Sequence, residues 1–313
     1  MNKKYWIAAF LFLITAAVSC LAVWHYSLLQ NEDFVRGEFA FSKTRTNLRA
    51  VSRIQMISQE NGEINLYRKN GLWYFQEAKN YFVNVERLAD FFRMVNETVV
   101  KQDIDLQTDE LRQKALDAEN GTIVRTYDVD GKLFDALVIG KRAGKDSVWM
   151  RAEKNKHHAY LIGPVEMISG HPMDWIPYPL LAIEHNMIDW LHVRKHTLNR
   201  AKLEEQIIRS PTMRRFILAL QYLDYVGLVY KNELLDDKTL EIERKSMEIG
   251  MIDGLVYRLE IYKVGDSYWL GVELGADKIS RIGVKDFIAQ NQKYFADWLF
   301  QLSNEQGKML FDL

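Results

Sequence analysis

The sequence predicts an α+β protein: an N-terminal transmembrane helix followed by two tandem, related domains, each an antiparallel sheet with a helix packed on it. Three observations predict this architecture. An uncharged apolar run lies near the N-terminus, short apolar-polar runs separated by hairpin turns follow it, and the order of turns and helix in the first half recurs in the second. The length of 313 residues is enough for two domains of ordinary size.

Composition narrows the class of protein. Hydrophobic residues make up 48% of the chain, which excludes a disordered protein, and a single cysteine cannot form an internal disulfide. Lys and Arg number 41 against 42 Asp and Glu, a net charge of −1. A nucleic-acid partner would require a basic excess gathered on one face, so none is expected.

Residues 5–24 predict a membrane-spanning helix. They carry no charge, and at a rise of about 1.5 Å per residue such a helix crosses the roughly 30 Å apolar core of a bilayer. Lys3 and Lys4 precede the run, so the positive-inside rule places the N-terminus in the cytoplasm and the bulk of the chain outside. We therefore expect residues 1–30 to form a cytoplasmic tail and a single-pass anchor. Aromatic residues suited to the headgroup layer stand at its ends, namely Tyr5, Trp6 and Trp24.

Two alternative interpretations of this segment also place the bulk of the chain outside the cytoplasm, but they replace the uncleaved membrane-spanning helix with a cleaved signal peptide or a lipid anchor. Ala17-Val18-Ser19 resembles the small-residue site at which a signal peptide is cleaved. Together with Cys20, the same stretch loosely resembles a lipoprotein processing site, in which the cysteine carries the lipid. The apolar run continues past both sites to Trp24, which favours the uncleaved helix.

A cluster of prolines predicts the boundary between the two exported domains. Four of the five prolines fall within sixteen residues, and proline removes a backbone donor and restricts the residue before it. We therefore expect a first domain over residues 31–163, a connector over 164–185 and a second domain over 186–313. The four prolines are Pro164, Pro172, Pro177 and Pro179.

Turn chemistry predicts the elements of the first domain. Asn61-Gly62 and Asn70-Gly71 are pairs that tolerate positive φ in tight hairpins, so they join three antiparallel strands. Asn84 is suited to cap a helix, and Leu88, Phe91, Phe92 and Val95 then repeat at helical spacing. A weak helix is expected over 109–117. Strands are expected over 123–128 and 133–139, joined through Asp130-Gly131, and over 147–151 and 159–162.

Parts of this order recur after the connector. Ser210 and Pro211 suit a helix start, and Phe216, Ala219, Leu220 and Leu223 repeat the apolar stripe at an offset of 128 residues. Asp253-Gly254 lies between two strand-like runs as Asp130-Gly131 does, and residues 266–270 match residues 146–150. An internal duplication explains the recurrence. The alternative is that two unrelated αβ segments share a degenerate apolar pattern.

The first domain resembles the uncharacterised bacterial family catalogued as domain of unknown function 4340. The resemblance is carried by Gly71-Leu72-Trp73-Tyr74-Phe75, the helix from Asn84 to Val95, Leu137-Val138-Ile139-Gly140 and Ser147-Val148-Trp149-Met150-Arg151. It implies a membrane-anchored, extracytoplasmic repeated α+β protein of the bacterial inner membrane. Family genes often lie beside ABC transporters, which implies an accessory role with ABC transporter subunits as partners. One departure is that residues 116–121 stand where the family usually has a Gly-Leu-x-x-Pro turn.

No motif predicts a catalytic residue, a cofactor or a metal. The loop 140–146 has the wrong glycine spacing for a phosphate loop and lies between two predicted strands, without a helix N-terminus. His192 and His196 have the i, i+4 spacing of zinc ligands on a helix, but Ile188, Trp190 and His192 also alternate as a strand does. The strand interpretation is favoured because ligand spacing without cysteine is a weak signal.

The connector carries the candidate docking surface. Trp175, Tyr178 and Trp190 stand among prolines, and clustered aromatic residues on an irregular segment are suited to partner binding. The alternative is an ordered linker with its aromatic rings packed inside. The predicted function is a non-enzymatic accessory or adaptor that binds a membrane partner. Two alternatives are an extracytoplasmic hydrolase acting on envelope material through paired carboxylates, and a structural spacer.

Overall fold

A computed structural model of the chain describes residues 34–106, 108–117, 119–165 and 171–313. The predicted anchor, with Lys3, Lys4, Tyr5, Trp6 and Trp24, lies outside the described residues, as does Cys20. Within the described ranges, no helix has the length and apolar character needed to cross a bilayer.

The chain divides into two compact units, and the division falls between Ile176 and Pro177. This position lies inside the predicted connector. A short 3-10 helix, Pro172–Trp175, closes the first unit, and the segment from Pro177 leads into the second. Each unit contains one antiparallel sheet with helices, so the α+β class predicted from the sequence is confirmed.

The described part of the first unit has nine strands and three α-helices. The strands are β1 (Arg53–Ser58), β2 (Gly62–Lys69), β3 (Leu72–Phe75), β4 (Tyr81–Phe82), β5 (Val99–Asp105), β6 (Thr122–Tyr127), β7 (Leu133–Arg142), β8 (Val148–Ala152) and β9 (His158–Gly163). The helices are α1 (Ser42–Thr46), α2 (Val85–Glu97) and α3 (Thr108–Gln113). The order in the sheet is β4-β3-β2-β1-β6-β7-β8-β9-β5.

The predicted Asn70-Gly71 turn and the helix cap of the first unit are confirmed, whereas in the predicted Asn61-Gly62 pair only Gly62 has a positive φ. Asn70 and Gly71 have φ values of 52° and 80°, the positive values that the tight β2–β3 turn requires. The side chain of Asn84 accepts hydrogen bonds from the backbone N–H groups of Glu86 and Arg87, so it caps α2.

The core of the first unit lies between the sheet and α2. Alternate residues of β1 and β2 point to this face and are buried, as are Leu88, Phe91 and Val95 of the helix. The apolar stripe predicted for the helix is therefore the face that packs on the core. A second apolar cluster, formed by Leu116, Val138 and Ala159, includes a residue on the other side of strand β7.

The second unit has seven strands and five α-helices. The strands are β10 (Ile188–Val193), β11 (His196–Asn199), β12 (Gly227–Tyr230), β13 (Ile242–Met251), β14 (Leu255–Val264), β15 (Ser267–Ala276) and β16 (Trp298–Leu302). The helices are α4 (Arg200–Arg209), α5 (Pro211–Gln221), α6 (Lys231–Leu235), α7 (Val284–Asn291) and α8 (Asn304–Asp312). The sheet order is β11-β10-β13-β14-β15-β16-β12.

The two sheets share one strand order. Taken in chain order, strands β1, β2 and β5–β9 of the first sheet correspond to strands β10–β16 of the second. With this correspondence, the order β2-β1-β6-β7-β8-β9-β5 becomes β11-β10-β13-β14-β15-β16-β12, which is the observed order of the second sheet. The striped helix, α2 or α5, precedes the matched edge strand β5 or β12 in both. Strands β3 and β4 have no counterpart in the second unit, and α4 has none among the described residues of the first.

Candidate functional site

Trp175 lies in the core of the first unit. Its ring is buried and makes an edge contact with Phe91, with 6.5 Å between ring centroids. Its carbonyl oxygen accepts a hydrogen bond from the backbone N–H of Asn84 at 2.7 Å. These contacts are those expected of an ordered linker.

Trp190 is half-buried on strand β10, where it pairs with Gly250 of β13. A Cβ atom placed on Gly250 would come within 2.1 Å of the indole ring. The indole ring of Trp190 therefore lies over Gly250, and the lack of a side chain on Gly250 leaves room for the ring.

Tyr178 is exposed and contacts two residues of the second unit. Its hydroxyl donates a hydrogen bond to Asp224 Oδ2 at 2.5 Å, and its ring meets Tyr222 edge to face with 5.5 Å between centroids. The hydrogen bond to Asp224 raises the pKa of Tyr178 well above its usual range. The hydroxyl consequently stays protonated and holds the ring against the carboxylate.

Tyr178 and Tyr222 form an exposed aromatic pair, and two exposed aliphatic residues lie close to Tyr222 along the chain. Leu218 lies one helical turn before Tyr222 on the outer side of α5, and Val226 follows on the segment into β12. The exposed fractions are 46% for Tyr178, 56% for Leu218, 54% for Tyr222 and 60% for Val226. These four residues are called the tyrosine patch below.

Hydrogen bonds fix the backbone under the tyrosine patch. The N–H of Leu180 donates to the carbonyl of Leu223 at 2.9 Å, and the N–H of Leu223 donates to the carbonyl of Leu181 at 3.0 Å. The Tyr225 hydroxyl donates to the carbonyl of Pro177 at 2.8 Å. The segments on each side of the patch are thus joined, and the exposed rings are presented by an ordered backbone.

Two buried acceptors lie among the residues that support the patch. Gln306 Nε2 donates to the carbonyl of Tyr222 at 3.2 Å, while Gln306 Oε1 has no hydrogen-bond partner among the described residues. Asp224 Oδ1 likewise has none there. Buried acceptors without a donor are costly, so a donor from a bound molecule or from water would be stabilised at either atom.

The largest polar cluster on the first sheet lacks the pKa pattern of an acid-base pair. Arg125 Nε donates to Glu153 Oε2 at 2.7 Å, and Gln55 Nε2 donates to Glu63 Oε1 at 2.6 Å. Hydrogen bonds from Asn65 and Gln55 lower the pKa of Glu63, and the hydrogen bond from Arg125 lowers that of Glu153. Hydrolysis by paired carboxylates needs one carboxyl group whose pKa is raised, whereas the pKa of both these groups is lowered.

The histidine pair is placed on strands. His192 lies on β10 and His196 begins β11, which confirms the strand interpretation of this segment. The Nδ1 atom of His192 is 2.7 Å from the Thr197 hydroxyl. Across the residues that the structure describes, no group of three or more His, Cys, Asp or Glu side chains is suited to hold a metal ion.

No protein-family model, curated protein or solved structure matches the chain. The site is therefore argued from its own geometry. Tyr178 was predicted from the sequence, whereas Leu218, Tyr222 and Asp224 were not. A usable signal was present, because Leu218 and Tyr222 are apolar or aromatic residues outside the buried stripe of α5.

Proposed function

We propose that the chain is a single-pass, membrane-anchored extracytoplasmic adaptor that binds a membrane-protein partner through the tyrosine patch. Following the family resemblance, we propose subunits of an ABC-type transport system as the partner class. The observation that carries the proposal is the tyrosine patch itself, a group of exposed aromatic and aliphatic side chains on an ordered backbone.

The chemistry of the patch suits protein binding. Tyrosine is enriched at the energetic centres of interfaces because it combines a large apolar ring with a polar hydroxyl. The hydrogen bond between Tyr178 and Asp224 restricts one ring before any partner arrives, which reduces the entropy lost on binding.

We further propose that the two units arose by duplication and that the second specialised for binding. The shared strand order supports common descent. At the offset of 128 residues, Leu218 corresponds to Asp90 on α2, a half-buried residue that forms an ion pair with Arg93. The second copy thus has an exposed apolar side chain where the first has a charged one.

Because of the predicted anchor, a weak contact between the tyrosine patch and its partner is sufficient for binding. A helix in the same membrane as the partner confines the patch to a thin layer and raises its effective concentration. Four exposed side chains then need not supply the affinity of a complex formed in free solution.

The test is a pulldown of full-length protein from its native membrane in mild detergent, with mass spectrometry of the recovered proteins. Tyr222→Ser should reduce recovery of a specific membrane partner at least about thirtyfold, as loss of an interface hot spot of about 2 kcal/mol does. Val85→Ser is the matched control, because Val85 is a 68% exposed aliphatic residue of the first unit.

Recovery of permease or ATPase subunits by the unsubstituted protein and by Val85→Ser would support the proposal. Equal recovery with Tyr222→Ser would remove the patch from the interface. Recovery of no specific membrane protein by any form would contradict the adaptor function.

A further inference from the structure

A strongly basic surface lies on the second unit of a chain whose net charge is −1. Between residues 194 and 215 there are seven Lys or Arg residues and two Glu residues, and all nine are exposed. The seven residues, called the basic surface below, are Arg194, Lys195, Arg200, Lys202, Arg209, Arg214 and Arg215.

The fold brings these residues onto neighbouring elements. Helix α4 packs against α5, β10 and β11, so the β10–β11 turn, α4 and the start of α5 adjoin one another. Arg214 on α5 donates hydrogen bonds to the carbonyls of Ile207 and Ile208 on α4 at 3.3 and 3.0 Å. Arg194 in the turn donates to the carbonyl of Asp312 at 3.3 Å.

Little of the positive charge is neutralised within the unit. Arg200 pairs with Glu204 at 3.4 Å and Arg209 with Glu205 at 2.9 Å. The described residues supply no ion pair to the other five cations. Of these, Arg194 and Arg214 donate to backbone carbonyl groups, and the remaining three are Lys195, Lys202 and Arg215.

The neighbouring helix does not remove the surplus. Helix α8, which packs on α5, adds Glu305, Lys308 and Asp312 to this side. Counting these with the nine charges of residues 194–215 gives eight cations and four anions, a surplus of four.

The matched helix of the first unit lacks this surplus. Helix α2, which matches α5, carries two Arg and three acidic residues, and α4 has no counterpart among the described residues of the first unit. The shared fold therefore does not by itself supply the cations of α4 and α5.

An exposed isoleucine lies within the basic surface. Ile208 is 74% exposed near the end of α4, next to Arg209, and its carbonyl accepts the hydrogen bond from Arg214. Glu204 and Glu205 lie one turn before Ile208 on α4, and both form ion pairs with cations of the basic surface. A surplus of cationic side chains beside an exposed apolar one matches the chemistry of a phospholipid interface, where phosphates bind the cations and the apolar group enters the headgroup layer.

We propose that the basic surface binds the anionic phospholipid surface of a membrane, with Ile208 entering the headgroup layer. Arg215 and Tyr222 are seven residues apart on and just after α5, about 10 Å along the helix axis, and Leu218 lies between them, so the basic surface borders the tyrosine patch. This inference goes beyond the adaptor function and does not depend on the identity of the protein partner.

The experiment uses full-length protein carrying Cys20→Ser and Ile208→Cys, labelled with an environment-sensitive fluorophore. The protein is reconstituted into vesicles of phosphatidylcholine alone or mixed with phosphatidylglycerol. Because the label reports the environment of position 208, insertion of the N-terminal segment does not produce the signal. A second protein labelled at Val129→Cys, an exposed position of the first unit, controls for general contact with lipid.

We expect a blue shift at position 208 only with phosphatidylglycerol, and its loss at about 1 M salt, where the Debye length is about 3 Å. The triple variant Lys195→Gln, Lys202→Gln, Arg215→Gln should weaken docking about 100-fold, since each cation near an anionic surface contributes about fivefold. The matched triple variant Lys132→Gln, Lys141→Gln, Lys145→Gln, which removes three exposed lysines of the first unit, should leave the shift unchanged.

Three results would overturn the proposal. One is an absence of any shift with phosphatidylglycerol. Another is an equal shift with phosphatidylcholine alone, which would mean that charge plays no part. The last is a shift seen only after an acidic protein is added, which would assign the surface to a protein instead of lipid.

Discussion

Gly307 provides a sharp test of how α8 packs beneath the tyrosine patch. An alanine inside a helix normally stabilises it by about 1 kcal/mol relative to glycine. Here a Cβ atom on residue 307 would lie 2.2 Å from Cβ of Tyr268 and 2.5 Å from its Cγ. Cβ is fixed by the backbone of β15, so a rotamer change of Tyr268 cannot relieve the shorter of these two contacts. We therefore expect Gly307→Ala to be destabilising.

The magnitude follows from the displacement that the methyl group demands. Reaching an ordinary contact of 3.4 Å requires a shift of about 1.2 Å between α8 and β15. Leu310 and Phe311, both buried on α8, then lose contacts, including the one between Phe311 and Tyr268 at 5.8 Å between centroids. Overpacking of this kind costs up to about 3 kcal/mol, and after the helix-propensity gain a net loss of about 2 kcal/mol remains.

Hydrogen exchange followed by mass spectrometry measures this loss locally, which matters because the two units need not unfold together. A loss of about 2 kcal/mol corresponds to roughly thirtyfold faster exchange in α8 and β15. Ala289→Gly, at an exposed position of α7, calibrates the helix-propensity effect and should cost about 1 kcal/mol in that helix alone. Unchanged or slower exchange in Gly307→Ala would refute the packing described for α8.

Two further predictions concern the first unit, both measured by hydrogen exchange. Glu153 has a lowered pKa because Arg125 donates hydrogen bonds to it, so its stabilisation is present above its unfolded pKa of about 4.5 and is lost as the pH falls through the folded value. Glu153→Gln should cost about 1 to 2 kcal/mol at pH 7, with the difference from the parent shrinking below pH 4.5; a pH-independent difference would contradict this assignment. Thr44→Val removes the hydroxyl that donates to the buried carboxylate of Asp135 at 2.5 Å and should cost about 2 kcal/mol in β7, whereas a neutral effect would show that the bond is not stabilising.

Local chemistry explains why the sequence predicts many elements of this fold. Positive φ at Asn70 and Gly71, and the cap at Asn84, are decided by residues that lie next to one another in the chain. The two apolar stripes at an offset of 128 residues mark matched helices for the same reason, since each stripe is read within three turns.

The strands at the β5 end of the first sheet and the β12 end of the second are harder to predict because they pair with strands distant in sequence. Strand β5 follows α2 directly but pairs with β9, across register pairs such as Val99 with Gly163. Strand β16 lies between α7 and α8 and pairs with both β15 and β12. No local pattern specifies such pairing, because it depends on which edge remains free once the central hairpins have formed.

The candidate site is likewise predicted only in part, because some of its features are set by local sequence and others by tertiary contacts. An aromatic residue among prolines identifies Tyr178, but the same pattern also selects Trp175, which packs on Phe91. Exposure is decided by tertiary contacts, and Tyr222 joins Tyr178 only because Leu223 pairs with Leu181. The sequence thus predicts a suitable segment, and the fold decides which of its rings face solvent.

The adaptor function is tested most directly by site-specific photocrosslinking in native membranes. A photoreactive phenylalanine analogue at position 222 of the full-length protein should form a crosslink to one membrane protein. The same analogue at Val85, exposed on the first unit, should not form it. A specific adduct from position 222 alone is the result that the proposed function predicts. No adduct, or the same adducts from both positions, would contradict it.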